Sequence, residues 1–208
     1  MTRGRHLLLA FGLAGVLATP LAAQEQSFSD SLTFLKAVRD RDGGKVQAMV
    51  DNPSSNAINA RDGKTGDTAL HILIEDRNLD WLVFLLSRGA RTDLQNNAGN
   101  SPLALAAQLG WLEGATQLLA RGARVDLANS RGETPLILVV QSRQLSTADR
   151  LAMIELLIGQ GADPRRQDSV AGYSALDYAR QESRSPEIVR ALESKPAKPA
   201  AAQVGPTR

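Results

Sequence analysis

The chain has 208 residues, enough for one medium domain; 43% are hydrophobic and only 4% aromatic, so a core must be built mainly from aliphatic side chains. It contains no cysteine, which excludes disulfides, thiolate metal sites, thiol catalysis and attachment of a lipid through a thiol. The formal charge is +2, and loss of Arg3 and Arg5 from the 24 basic residues would leave 22 against 22 acidic ones, so the pI of about 9.2 does not imply a nucleic-acid partner.

Arg3 and Arg5 precede a short apolar run, Leu7–Ala18, and then Pro20 and the small residues Ala22 and Ala23. A basic start, a short apolar stretch and a small-residue end form the pattern of a secretory signal peptide. Residues 1–23 are read as that signal, with cleavage after Ala23. The alternative is an uncleaved anchor, but the run is shorter than the ~20 apolar residues of a bilayer span. Next, Ser31–Pro53 reads as a helix pair with Leu32, Leu35, Val38, Val46, Met49 and Val50 as its apolar stripe. Residues 24–61 are taken as an N-terminal capping unit.

From residue 62 the chain repeats itself. "GARTDLQNNAGNSPL" from Gly89 and "GARVDLANSRGETPL" from Gly122 share nine of fifteen positions at an offset of 33 residues. Each unit opens on a turn glycine (Gly66, Gly99, Gly132, Gly172), followed by a hydroxyl suited to capping a helix (Thr68, Ser101, Thr134, Ser174). Proline follows at the first helical position in two units, Pro102 and Pro135, where its missing N–H costs nothing. A short helix, a turn and a second, leucine-rich helix come next, and Gly-Ala closes the second helix at Gly89, Gly122 and Gly161. A fixed period of this size means stacked repeats, each burying its faces against its neighbours. The predicted units span 62–95, 96–128, 129–166 and 167–193, with about six residues inserted in the third near Gln141–Arg150. The fourth, with a polar second helix, is the C-terminal cap, and the Pro/Ala-rich residues 194–208 form a disordered tail.

The segments "DTALHILI", "NSPLALAA", "ETPLILVV" and "YSALDYAR", each followed by a helix and three of them by Gly-Ala, resemble ankyrin repeats. The resemblance implies an all-α solenoid of helix–turn–helix units with hairpin-like loops. It also implies a non-enzymatic protein–protein interaction module that works through the turn tips and the exposed face of the first helices. Mapped onto this chain, the turns offer Lys64, Thr65, Asp67, Asn97, Asn100, Arg131, Glu133 and Tyr173; the first helices offer Glu75, Asp76, Gln108 and Gln141. The leucine-rich second helices are expected to form the buried back layer. The insertion, Arg143–Asp149, is a further candidate contact loop.

His71 stands three residues after the cap Thr68, and the aligned positions are Ala104, Ile137 and Asp177, so no second histidine builds a site with it. In ankyrin repeats this histidine is structural, bonding near the helix start and to the adjacent turn. "GKTGDT" lacks the upstream glycine of a phosphate loop, and "DRDGG" lacks the spacing of a calcium loop. No cofactor or metal is expected. The partner is expected to be a protein, with no nucleic acid and no stable membrane insertion after cleavage, and the chain to be a monomer. The signal, the neutral mature charge and the use of arginine over lysine point to the periplasm, with an extracellular destination as the alternative. Secreted bacterial relatives of this kind imply an accessory, protective or inhibitory role toward a periplasmic enzyme, in some cases one of oxidative stress. An envelope-associated structural role is the other reading.

Overall fold

The computed structural model describes residues 21–52, 55–182 and 186–194, with only the backbone described for 21–29. Most of the expected signal peptide and nearly all of the expected tail therefore lie outside the described residues. α1 (Leu21–Arg39) and α2 (Gly43–Val50) are joined by a tight turn and followed by a short 3-10 helix (Ala57–Asn59). Four helix pairs come next: α3 (Ala69–Glu75) with α4 (Leu79–Ser87), α5 (Pro102–Gln108) with α6 (Leu112–Ala120), α7 (Pro135–Gln141) with α8 (Thr147–Gly159), and α9 (Ala175–Gln181) with α10 (Pro186–Glu193). Among the described residues there is no strand, only an isolated bridge between Gln167 and Ser174. No described helix is long and apolar enough to cross a membrane.

The first helix of each pair packs on the first helix of the next, giving an inner row α1, α3, α5, α7, α9. The second helices form an outer row, α4, α6, α8, α10. This reverses the expected division of apolar load. In α3 all six residues from Ala69 to Ile74 are buried, and in α5 and α7 five of seven are, whereas α4 and α6 bury three of nine each. An inner helix is covered by a unit on either side and by its own partner helix, so small residues such as Ala104, Ala106 and Ala107 are sealed off completely. An outer helix keeps one face in water however many leucines it carries.

The local signals are as expected. Ser101 accepts from the Ala104 N–H at 3.1 Å and Thr134 from the Ile137 N–H at 3.3 Å, each ahead of a proline at the helix start. Ser174 and Asp177 form a reciprocal capping box. In the capping unit, Leu35, Val38 and Val46 are buried as expected, but Leu32 is 50% exposed and Phe34 is buried in its place. At 3.6 residues per turn, 34, 35 and 38 share one face, and 32 falls off it. The inserted residues of unit three are divided: the loop before α8 spans five residues, 142–146, against three in the units before it, and α8 has 13 residues against nine in α4 and α6.

The hairpin turns are tied to one another along the stack. The Asn97 N–H donates to the Thr65 carbonyl at 2.8 Å, Ser130 to Ala98 at 3.2 Å, and Ser169 to Arg131 at 2.9 Å. This rung explains the turn glycines. Gly99 has φ +79°, and a Cβ there would stand 2.3 Å from the Ser130 backbone nitrogen. Gly122, at the end of α6, has φ +82° but open space where a Cβ would go. The first needs glycine for close approach as well as for the left-handed backbone; the second needs it for the backbone alone.

Candidate functional site

His71 is fully buried and bonded at both ring nitrogens. Its Nδ1 accepts from the Thr68 N–H at 3.2 Å and lies 2.9 Å from the Thr68 hydroxyl, and Nε2 donates to the Asn100 carbonyl at 2.9 Å. Burial pushes its pKa below the ordinary histidine value, so it is held neutral. A neutral imidazole that caps its own helix and reaches the next hairpin is a structural part, as the resemblance implies. Among the described residues no group of three or more His, Asp or Glu side chains could hold a metal ion.

The twelve residues expected on the binding surface separate into three groups. Lys64, Thr65, Asp67, Glu75 and Asp76 lie together on unit one, with Asn97 of the next turn bonded against them. There the Asp67 carboxylate accepts from Asn96 Nδ2 at 2.9 Å, and Asn97 Nδ2 donates to the Lys64 carbonyl at 2.8 Å, so Asp67 and Asn97 serve the ladder of turns. Partial burial, with Asp67 and Asp76 close by, raises the Glu75 pKa above the usual carboxylate value. Asn100, Gln108, Arg131, Glu133 and Gln141 meet on units two and three, where they line one open depression of about 410 Å³. Tyr173 stands apart on the last turn, 42% exposed, its ring edge-on to Tyr178 with centroids 5.5 Å apart.

Glu133 was expected as an exposed turn residue, but it is only 4% exposed. Its carboxylate accepts from Asn129 Nδ2 at 2.9 Å and pairs with Arg131 at 2.9 Å. The glutamate therefore fixes the turn from beneath while Arg131 lies over it in solvent. Asn100 is likewise half committed: its Oδ1 accepts from Asn129 at 3.1 Å and its carbonyl from His71.

A second depression, of about 590 Å³, adjoins the first at Gln141 and Arg143 and continues along unit four past Tyr178, Gln181 and Glu182. Two buried charges hold residues of its lining in place. Arg150, 5% exposed on α8, donates to the Val140 carbonyl at 2.5 Å and to Glu182 at 2.6 Å, joining the insertion to the last unit. Asp168 accepts three N–H groups of the last turn and the Tyr178 hydroxyl at 2.6 Å. Burial would raise the Asp168 pKa, but these donors hold it below the usual value, and the same bond raises that of Tyr178. Arg143, Gln144 and Tyr178 did not stand out individually in the sequence. The signal for the two loop residues was the break in the 33-residue period.

Paired helices stacked in two rows, with hairpins projecting beside a concave polar strip, define a helical-repeat scaffold. A family model described as ankyrin repeats (3 copies) matches residues 34–129 and again residues 78–168, and the chain belongs to that family. Ankyrin repeats are in general protein–protein interaction modules, and the family is typically non-enzymatic.

Proposed function

We propose that this chain is a periplasmic binding module that holds a protein partner in the strip between the turn tips and the C-terminal ends of the inner helices on units two to four. The observation that carries the reading is the convergence of Asn100, Gln108, Arg131, Glu133 and Gln141 on one open depression. Export rests on the basic and then apolar start of the chain, Arg3 to Ala23. The test is affinity capture from periplasmic extract, read by mass spectrometry, with the wild-type chain beside a Gln108→Ala, Arg131→Ala, Gln141→Ala variant. The expected result is a protein retained by the wild type and lost from the variant at unchanged melting temperature. Equal capture by both moves the site to unit one or the last turn. Fractionation that leaves the chain in the cytoplasm overturns the compartment.

A further inference from the structure

We infer that the bound element is an extended peptide segment of the partner that sets a side-chain carboxylate against Arg143; this rests on the protein-binding reading above. Arg143 stands on the long loop between α7 and α8 and lines both depressions, at the point where they join. The charged groups around it are otherwise matched. Glu133 is paired with Arg131 at 2.9 Å, and Glu182 with Arg150 at 2.6 Å. Arg143 has no ion pair and no hydrogen bond among the described residues, so the trough carries one uncompensated positive charge near its middle. A guanidinium presents forked donors that match a carboxylate in two parallel hydrogen bonds.

The walls on either side favour a chain over a compact anion. Gln108 and Gln144 line the first depression and Gln181 the second, and none of the three side chains is engaged within the protein among the described residues. A primary amide offers two donors and one acceptor. An extended backbone brings an N–H and a C=O at every residue, and both need partners on leaving water. Amides spaced along a trough supply both kinds, and the arginine between them fixes where the acidic residue falls. The insertion thereby acquires a role: it carries the one group that sets the register of the bound segment.

The experiment uses the purified full-length chain and three pools of random nonapeptides whose central residue is fixed as Glu, Gln or Lys, with affinity read by fluorescence anisotropy. The Glu pool is expected to bind about tenfold more tightly than the Gln pool, the scale of one charge-assisted hydrogen-bond pair. That preference should vanish in Arg143→Gln, survive in weakened form in Arg143→Lys, and be untouched in Arg91→Gln on another surface. Melting curves that coincide for all four proteins make a loss attributable to the missing guanidinium. Equal binding of the Glu and Gln pools, or a preference that persists in Arg143→Gln, overturns the inference. So does displacement of the peptide by inorganic phosphate or free glutamate at concentrations matching the peptide, which would make Arg143 a simple anion site. If no pool binds, the inference falls; capture of a protein from extract, unchanged in Arg143→Gln, would then leave the broader reading standing.

Discussion

The inner and outer rows of helices are built from the same kinds of residue and have opposite fates. α5, with three alanines and two leucines, is almost completely buried, while α6, with three leucines of its own, leaves much of its length in water. Burial in a stacked repeat follows position more than hydrophobicity: a helix flanked by two units is enclosed, and one on the outside is not. The inner row therefore tolerates little change of volume, and the outer row behaves as an ordinary amphipathic surface.

The sharpest test of this contrast pairs two leucines. Leu136→Ala in α7, at a fully buried position, should cost about 2–5 kcal/mol, and Leu119→Ala in α6, at a partly buried one, about 1 kcal/mol or less. Urea unfolding of both variants decides it; equal losses would dissolve the distinction between the rows. The second test compares glycines that serve the two rows. Gly122→Ala strains only a left-handed backbone, at about 1–2 kcal/mol. Gly99→Ala adds a clash with the Ser130 backbone and should lower the melting temperature further. A smaller loss at Gly99 would mean that the turns are not held together as closely as their hydrogen bonds indicate.

His71 sharpens the comparison by pH. Its folded pKa lies below the ordinary value of about 6.5 expected when unfolded. The unfolded chain therefore takes up the proton first, and the contribution of His71 is fully present above about pH 6.5 and is lost as pH falls through the folded pKa. His71→Ala should cost about 1–3 kcal/mol at neutral pH, because the Thr68 N–H loses its acceptor and the Asn100 carbonyl its donor inside the fold. The variant should also flatten the decline in melting temperature between pH 7 and 5; an unaltered decline would assign it to the carboxylates. The smallest effect belongs to Arg131 on the rim. Arg131→Ala should change stability by less than about 0.5 kcal/mol, whereas Glu133→Ala, directly beneath it, should cost about 1–3 kcal/mol. Matching melts for the two would place Glu133 in solvent.

The helix caps and turn glycines were legible in the sequence because each depends on a single residue type at a fixed place. Thr68, Ser101, Thr134 and Ser174 each declare a helix start, and Gly-Ala declares an end. The assignment of layers was not legible. Leucine content identifies helices that need cover, but alanines sealed between neighbours, such as Ala104 and Ala107, carry no such mark. The fate of individual charges was hidden for the same reason. Nothing local separates Glu133, sunk beneath its turn, from Asp67 at the corresponding place in unit one, or buried Arg150 from exposed Arg143 seven residues earlier. Those differences arise only on folding: Asn129 bonds Glu133 across their shared turn, Val140 reaches Arg150 within unit three, and stacking brings Glu182 of the last unit alongside.

The rungs between successive turns run along the axis of the stack, so they are joined in series. Under tension applied at the two ends, each junction would feel the same force and the weakest would yield first, releasing its unit alone. One 33-residue unit pulled straight adds roughly 100 Å of length, so stretching should proceed as a staircase of similar steps. Arginine side chains also join the earlier units, such as Arg77 to the Leu109 carbonyl and Arg121 to the Leu86 carbonyl, but Arg150 departs from that pattern by fastening α8 to the start of the final connection through an ion pair between its buried side chain and Glu182. Units three and four are thereby coupled mechanically, and the staircase should contain one longer tread at the C-terminal end of the array.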